Sequence, residues 1–200
     1  MRSLTDLLYN FHWVVPEEAA RSAQAYAGRF GPFLSAHGIG SVINLRGPNP
    51  SWRWWHYEKR VCARLGISHH DVMLSSKNLP SAAMLKRLLA AFDACPKPLL
   101  LKCSGGQDRT SFASALFVLH RQNWAGENEA LAQFAAWPYL HLPKPHQRWL
   151  RLFVAYAREA GHGMPFSAFV QHKYTAEAFQ AWLDARGERS AYRNVYRGAS

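Results

Sequence analysis

The 200-residue chain is 48% hydrophobic, which is enough for one domain with a buried core and excludes disorder along its whole length. Its net charge of +11 at pH 7 favours polyanionic partners, but no nucleic-acid-binding motif accompanies the charge, so nucleic acid is not favoured. No apolar run approaches the roughly 18 residues of a membrane span, and the first residues lack a secretory signal. We therefore expect a cytoplasmic protein, with peripheral contact to an anionic membrane left open.

The three cysteines, Cys62, Cys95 and Cys103, have spacings typical of neither a disulfide framework nor a zinc site. An odd number of cysteines without such a pattern favours a reducing compartment. Cys62 and Cys95 are interpreted as small buried hydrophobic residues. The alternative is that one of them forms a redox lock with Cys103.

The first half of the chain predicts short strands separated by helices. Residues 11–15 predict a strand, and Pro16 opens a predicted helix that ends around residues 28–33, where two glycines and a proline stop it. Residues 41–45 are a β-branched, apolar run and predict a buried strand. A helix is predicted over residues 58–65.

The second half continues this alternation. Its predicted elements are a strand over residues 67–74, a helix that Ser81 caps and Pro96 ends, a strand over residues 99–101, and helices over residues 111–121, 127–136, 146–160 and 176–186. The alternation predicts an α/β fold with a central, mostly parallel sheet flanked by helices, and with extra C-terminal helices. We expect one domain over residues 1–200, with a core at about 10–160 and a helical extension over 161–200.

The stretch LLLKCSGGQDRTSFASALF, residues 99–117, contains the candidate site. Ligands of α/β sheets bind where strands end and lead through loops into helices, and Cys103 lies at such an end. Two adjacent glycines allow several N–H groups of this loop to converge on one point, and a helix starting near Arg109 or Thr110 adds its positive end. We therefore expect an anion-binding loop whose phosphate-contacting residues are Ser104, Gly105, Gly106, Gln107, Asp108 and Arg109.

Cys103 is the candidate nucleophile of this loop. Converging amides, a helix N-terminus and a nearby guanidinium favour the thiolate over the thiol, and a thiolate is a strong nucleophile at neutral pH. Arg109 presents a planar fork that binds two phosphate oxygens at once. The Thr110 hydroxyl can donate to the sulfur and make it a better leaving group. The alternative is that Cys103 is a buried core thiol beside a glycine turn.

The segment from Cys103 to Thr110 resembles the C-x-x-G-x-x-R-[S/T] signature of the cysteine-dependent protein tyrosine phosphatase superfamily, and the short chain is similar to its dual-specificity branch. Residues 21–47 and 65–76 are also similar to bacterial members of that branch. The resemblance covers roughly residues 21–142. It implies a dual-specificity-phosphatase-like sheet flanked by helices, a phosphocysteine intermediate, and catalysis with no metal or other cofactor.

Two residues depart from the family pattern. Lys102 stands where histidine is usual, and Ser111 stands where glycine is frequent. We expect Lys102 to keep a positive charge near the thiolate, and Ser111 is compatible with helix capping. Lys102 and Arg46, which follows a predicted strand, are also candidate substrate contacts; for Arg46 the alternative is a structural ion pair.

The general acid has two candidates. The family places an Asp on a loop about thirty residues before the cysteine, and Asp71 has about this spacing. However, residues 72–74 continue the strand, and the loop over residues 75–78 contains no carboxylate. Asp108 competes, because CSGGQDRT resembles the version of the signature in several phosphoinositide phosphatases. A site with no dedicated acid is the third alternative, with Asp71 then a strand-end carboxylate paired with Arg46 or a histidine.

Two further sequence patterns have both a structural and a functional interpretation. His69 and His70 are adjacent on a predicted strand, so they point to opposite faces and are interpreted as structural rather than as a metal site. Residues 51–60, SWRWWHYEKR, interleave aromatic and basic side chains. This segment is interpreted as a helix that packs its Trp residues on the core, and the alternatives are a substrate-rim loop or a patch that contacts anionic lipid.

These patterns together predict a metal-independent phosphatase that hydrolyses phosphate monoesters through a phosphocysteine. A dual-specificity protein phosphatase acting on phosphorylated Tyr, Ser and Thr is the first prediction. The alternatives are a phosphatase of phosphoinositides or other phospholipid headgroups and, from another class, an inactive phosphoanion-binding module. The predicted partners are accordingly a phosphorylated protein or a phospholipid or inositol phosphate substrate.

Overall fold

A computed structural model describes residues 3–26 and 28–188, and the last part of the predicted C-terminal extension lies outside these residues. The strands are β1 His12–Val15, β2 Ala19–Ser22, β3 Ser41–Asn44, β4 Ser68–Asp71 and β5 Leu99–Lys102. Among the described residues they form one sheet with the order β1-β2-β5-β3-β4. Only β1 pairs antiparallel, with β2, and the other pairs are parallel. The prediction of a central, mostly parallel sheet flanked by helices is confirmed.

The helices are α1 Leu4–Leu8, α2 Phe30–Ala36, α3 Arg53–Arg64, α4 Ala82–Ala94, α5 Asp108–Gln122, α6 Glu127–Ala132, α7 Trp149–Gly161, α8 Phe166–His172 and α9 Ala176–Ala185. Short 3₁₀ segments occupy Asn123–Gly126 and Pro145–Gln147. Ser81 caps α4 as predicted, since its hydroxyl accepts from the Met84 N–H at 3.2 Å. The sequence analysis missed α1, α2 and α8, which are all shorter than eight residues.

The helix predicted from Pro16 is wrong. Residues 19–22 instead form β2, which pairs in parallel with β5 and is buried along its whole length. Glu17 adopts a left-handed φ of 60° in the turn that joins β1 to β2. The two alanines of β2 favour a helix by intrinsic propensity, but pairing inside the sheet overrides that weak preference.

Each face of the sheet is covered by a hydrophobic cluster. On one face α2 and α3 pack on residues such as Val42 and Leu100. On the other face the cluster includes Ile43, Leu101 and Cys103, and it continues through α4, α5 and the C-terminal helices. The alternation along β3 and β5 therefore places Lys102 and Cys103 on opposite faces.

The C-terminal helices pack against the same core as the sheet. Phe169 of α8 and Phe179 of α9 are fully buried and contact the ring of Tyr156 in α7. The Tyr174 hydroxyl donates to the Pro80 carbonyl at 2.6 Å. Within residues 3–26 and 28–188, no helix combines the length and apolar character needed to cross a membrane.

Candidate active site

Cys103 lies directly after β5, at the base of the loop that leads into α5. Its side chain is 3% exposed, and the Thr110 hydroxyl donates to its sulfur with an Oγ1 to Sγ distance of 3.0 Å. The helix begins at Asp108, one residue before the predicted start. The sulfur therefore lies beside a hydroxyl donor from the first turn of α5.

The loop from Ser104 to Gln107 has the geometry of an anion-binding nest. The Ser104 carbonyl accepts from the Gln24 N–H at 3.0 Å, and the Gly106 carbonyl accepts from the Asn10 side-chain amide at 3.1 Å. The carbonyls are thus tied to the surrounding protein. The backbone N–H groups of residues 104–107 have no acceptor in the described part of the chain, so they are available to a bound anion.

Gly106 is required for the shape of the loop. It has a left-handed φ of 65°, and a Cβ atom at this position would lie 2.5 Å from the Ala23 nitrogen and 2.7 Å from the Ser22 carbonyl carbon. Both neighbours are backbone atoms that follow β2. No side chain fits between the loop and this segment, so the glycine allows the close approach.

Arg21 of β2 supports the loop from behind, and the sequence analysis missed this role. Its side chain is fully buried, and Nη2 donates to the Gly106 carbonyl at 3.1 Å and to the Ser111 hydroxyl at 2.7 Å. Nη1 donates to the Gln133 carbonyl at 3.0 Å and to its side-chain oxygen at 3.1 Å. The guanidinium also lies 4.2 Å from the centroid of the Tyr139 ring. Ser111 thus binds Arg21.

The charge of Arg21 is unusual, because none of these partners is a carboxylate. Burial lowers the pKa of Arg21 to about 10, and the negative forms of Tyr139 and Cys103 oppose this decrease. The guanidinium still keeps its charge at neutral pH.

Lys102 does not line the pocket. It is fully buried, and its ammonium contacts both carboxylate oxygens of Glu58 in α3 and donates to the Gln24 side-chain oxygen at 2.7 Å. Burial lowers the pKa of Lys102 to about 8, against the negative charges of Glu58 and Cys103. The geometry therefore assigns Lys102 to an ion pair on the opposite face of the sheet, away from a substrate.

The pocket above Cys103 has a volume of about 150 Å³. Its lining residues are Ser76, Cys103, Ser104, Gly105, Gln107, Asp108 and Arg109. The Arg109 guanidinium lies at its rim, where Nη2 donates to the Ser104 hydroxyl at 3.0 Å. Pockets that enclose a whole organic ligand have about 300–1,000 Å³, so this one fits a phosphate group and leaves the rest of a substrate outside.

The two candidate acids occupy different places. Asp108 lines the pocket, and its carboxylate accepts from the Gln147 side-chain amide at 2.7 Å. The His141 ring nitrogen lies 3.4 Å from its other oxygen. Gln147 and His141 come from the segment between α6 and α7, and no local sequence signal points to them.

Asp71 ends β4 and is absent from the pocket lining. Its carboxylate accepts from the Asn44 side-chain amide at 2.7 Å and from the Trp55 indole N–H at 3.0 Å. These partners hold the carboxylate between the end of β3 and α3. The structural pairing expected as an alternative is therefore present, but its partners are Asn44 and Trp55 rather than Arg46 or a histidine.

The other candidate residues lie outside the pocket lining. Cys62 and Cys95 are buried free thiols, and burial raises the pKa of both, that of Cys62 to about 12. Residues 51–60 lie mostly in α3, and the guanidinium of Arg46 stacks on Trp54 at 3.9 Å. His69 lies 3.7 Å from the Glu58 carboxylate.

Comparisons with known proteins agree with this geometry at the level of the fold. No family model and no curated protein sequence matches the chain. A DUF442 phosphatase candidate from Shewanella putrefaciens CN-32 has a similar structure, with a TM-score of 0.57 and 19% identity over 77% of this chain and 97% of the other.

Two further solved structures are also similar. The core catalytic domain of the PP-IP phosphatase SIW14 from S. cerevisiae has a TM-score of 0.51 and 18% identity over 92% of this chain and 96% of its own. TpbA from P. aeruginosa, in a cysteine-to-serine variant bound to phosphotyrosine, has a TM-score of 0.50 and 17% identity over 77% of this chain and 94% of its own. The chain therefore shares the fold of these solved structures, and Cys103 and Arg109 lie at the two ends of the segment that joins β5 to the first turn of α5.

Proposed function

We propose that this protein is a metal-independent phosphatase that hydrolyses phosphate monoesters through a phosphocysteine on Cys103. The observation that carries the proposal is the placement of the Cys103 sulfur, 3.0 Å from the Thr110 hydroxyl, at the base of a small pocket with free loop amides. The amides and Arg109 hold the three equatorial oxygens of the substrate phosphate. The sulfur then lies in line with the leaving oxygen.

The reaction has two steps. The Cys103 thiolate attacks phosphorus, a P–S bond forms, and the P–O bond to the leaving group breaks while an acid protonates the departing oxygen. A water molecule then attacks phosphorus, the P–S bond breaks, and inorganic phosphate leaves with the thiolate restored. The Thr110 hydroxyl assists this second step, since its hydrogen bond stabilises negative charge that returns to the sulfur.

Asp108 is the acid that the geometry favours. It lines the pocket, whereas Asp71 is held by Asn44 and Trp55 at the end of β4. The hydrogen bond from Gln147 fixes one oxygen of Asp108 and leaves the other near His141. An acid must lie within hydrogen-bond reach of the oxygen it protonates, and the place of Asp108 in the pocket lining supports it over Asp71.

The substrate class has two candidates. A dual-specificity protein phosphatase is the first, because a pocket of about 150 Å³ takes the phosphate alone and is indifferent to the group that carries it. The structural likeness to a protein that binds phosphotyrosine supports this candidate. A phosphatase of inositol phosphates or lipid headgroups is the second, supported by the net charge of +11 and by the likeness to a PP-IP phosphatase.

Hydrolysis of p-nitrophenyl phosphate by wild type and by Cys103→Ser tests the chemistry. We expect turnover that persists in EDTA, complete loss in Cys103→Ser, and a phosphorylated cysteine that can be trapped by rapid acid quench. Phosphate binding without turnover at any pH would instead establish an inactive anion-binding module. A panel of phosphopeptides, inositol phosphates and lipid vesicles then separates the two substrate classes.

A further inference from the structure

Arg46 carries a cation that no carboxylate pairs with in the part of the chain that the structure describes. Its guanidinium carbon lies 3.9 Å from the centroid of the Trp54 ring and 4.7 Å from that of Trp52. Within the described ranges, the guanidinium forms neither a hydrogen bond nor an ion pair, and its Nη1 is buried. The indole nitrogen of Trp54 is also buried without an acceptor. The Arg46 guanidinium and the Trp54 indole are therefore stacked on each other, and each has a buried donor without an acceptor among the described residues.

Buried donors without an acceptor are rare, because each loses its hydrogen bond to water and gains nothing in return. A stacked arginine and tryptophan with this defect point to an acceptor that binds both. The ring of Trp52 covers Arg46 and is itself 46% exposed. A ligand reaches the guanidinium if it displaces this ring.

Arg46 lies at the same edge of the sheet as the catalytic loop. The Leu45 N–H donates to the Lys102 carbonyl at 2.9 Å, so the ends of β3 and β5 are side by side. Arg46 is the next residue after Leu45, and Cys103 is the next after Lys102. The side chain of Arg46 lies on the α3 side of the sheet, stacked on Trp54, at the edge where β5 leads into the loop of Cys103.

The charges around Arg46 favour the binding of a second negative group at this side chain. The positive charge of Arg46 contributes to lowering the pKa of Lys102, although burial is the larger cause. The one carboxylate of α3, Glu58, is already bound to Lys102. Asp71, the carboxylate at this edge of the sheet, is likewise held by Asn44 and Trp55, so both carboxylates are engaged by donors other than Arg46.

We propose that Arg46, Trp52 and Trp54 form a second anion subsite that binds a phosphate other than the one transferred to Cys103. This inference rests on the proposed phosphatase function and names its substrate class: small polyols that carry at least two phosphates, either free or as lipid headgroups. One phosphate occupies the pocket. The polyol lies outside the pocket, and the face of an indole ring packs on the C–H groups of the polyol. The second phosphate accepts hydrogen bonds from the Arg46 guanidinium and from the Trp54 N–H.

Calorimetric titration of the Cys103→Ala protein tests the subsite without turnover. The ligands are inorganic phosphate, inositol monophosphate, and inositol bisphosphates with adjacent or opposite phosphates. We expect at least one bisphosphate to bind about 10-fold more tightly than the monophosphate, as one charge-assisted fork contributes. Addition of Arg46→Met removes this gain and leaves the affinity for inorganic phosphate unchanged. Arg60→Met, which removes an equal charge from the exposed side of α3, is the matched control and keeps the gain.

Two further variants separate the subsite from a purely structural stacking role. Arg46→Lys keeps the charge but not the planar fork, so it keeps only part of the gain. Trp54→Phe keeps an aromatic ring but lacks the N–H and also lowers the bisphosphate affinity. Circular dichroism and thermal unfolding show whether each variant is folded, and Arg46→Lys carries the test if Arg46→Met is not.

The outcomes distinguish this inference from the proposed function. Absence of phosphate binding by Cys103→Ala overturns the anion loop itself. Phosphate binding without a gain that depends on Arg46 overturns the subsite alone, and an equal gain for a doubly phosphorylated peptide overturns the polyol class. Soluble inositol 1,4,5-trisphosphate and vesicles with phosphatidylinositol 4,5-bisphosphate share a headgroup. The ratio of their affinities identifies the free or the lipid-bound source.

Discussion

The Arg21 guanidinium donates to the Gly106 carbonyl at 3.1 Å across 85 residues of sequence. An early strand thus fixes the orientation of the loop that follows β5. The same side chain binds Ser111 in α5, so it ties the loop to the helix whose N-terminus faces the sulfur. Arg21 has no carboxylate partner among these contacts, so its buried charge is held by neutral acceptors and by the Tyr139 ring.

Arg21→Met is expected to weaken both the fold and the catalysis. It leaves the Ser111 hydroxyl and the Gln133 oxygens without the Arg21 donor, and the Gly106 carbonyl keeps only the Asn10 side-chain amide. Each unpaired buried group costs about 1–3 kcal/mol. Urea denaturation should show a loss of several kcal/mol in the free energy of unfolding. The rate with p-nitrophenyl phosphate should fall at temperatures where the variant is still folded.

Two variants are the controls for this result. Arg21→Lys keeps the charge but cannot donate to both sides, so it should lie between wild type and Arg21→Met. Arg29→Met removes an exposed arginine and should change the unfolding free energy by less than about 0.5 kcal/mol. Wild-type stability in Arg21→Met would contradict the assigned role.

Gly106→Ala should abolish activity, whereas Gly105→Ala should be tolerated. A Cβ at Gly106 meets backbone atoms at 2.5 and 2.7 Å, and the left-handed φ adds strain. A Cβ at Gly105 meets only the Gln107 side chain at 3.5 Å. The measurement is kcat/KM together with Tm for both variants. Equal effects of the two substitutions would show that the close approach to residues 22 and 23 does not determine the loop shape.

The pocket residues near Cys103 were predictable because they are adjacent in the sequence. Cys103, the two glycines, Arg109 and Thr110 lie within eight residues, and the apolar run before them and the helix after them fix their geometry. The parallel sheet followed from the alternation of elements. Periodicity and turn residues carry this information without any long-range contact.

The remainder of the site depends on contacts that sequence spacing does not encode. Asn10, Arg21 and Gln147 reach the loop from three separate segments. β2 was mistaken for a helix because its alanines favour one and its pairing partner follows about 80 residues later. Asp71 has the spacing of an acid, but its partners come from β3 and α3.

The buried pair of Lys102 and Glu58 should be strongly coupled. Glu58→Gln leaves a buried ammonium and Lys102→Met leaves a buried carboxylate, so each should cost about 3–5 kcal/mol of unfolding free energy. The double variant removes both charges and should cost less than the sum. A double-mutant cycle in urea measures this coupling, and additive losses would contradict a direct pair.

The pair of Lys102 and Glu58 should also make the free energy of unfolding depend on pH. Burial raises the pKa of Glu58, but hydrogen bonds and the charge of Lys102 outweigh it, so the folded pKa lies below the ordinary value of 4.5. The unfolded chain therefore takes up the proton first, and stability is lost as pH falls below about 4.5. Lys102→Met should make this loss less steep, and an unchanged slope would show that the pair does not cause it.

Asp108→Asn and Asp71→Asn should separate catalysis from stability. An acid must be protonated to act, so its rate contribution disappears as pH rises through its pKa, and an asparagine removes that limb of the profile. Asp108→Asn should lower kcat on an alkyl phosphate by about 10²- to 10⁴-fold, with a smaller effect on an aryl phosphate, whose leaving group needs less protonation. Asp71→Asn should keep the pH profile and lose about 1–3 kcal/mol of stability, because an NH₂ group replaces one of the two oxygens that accept from Asn44 and Trp55 and the negative charge is lost. Gln147→Glu retains the size of the Asp108 partner but opposes it with a like charge, so it should move the basic limb to higher pH. A basic limb that vanishes in Asp71→Asn and persists in Asp108→Asn would reverse the assignment.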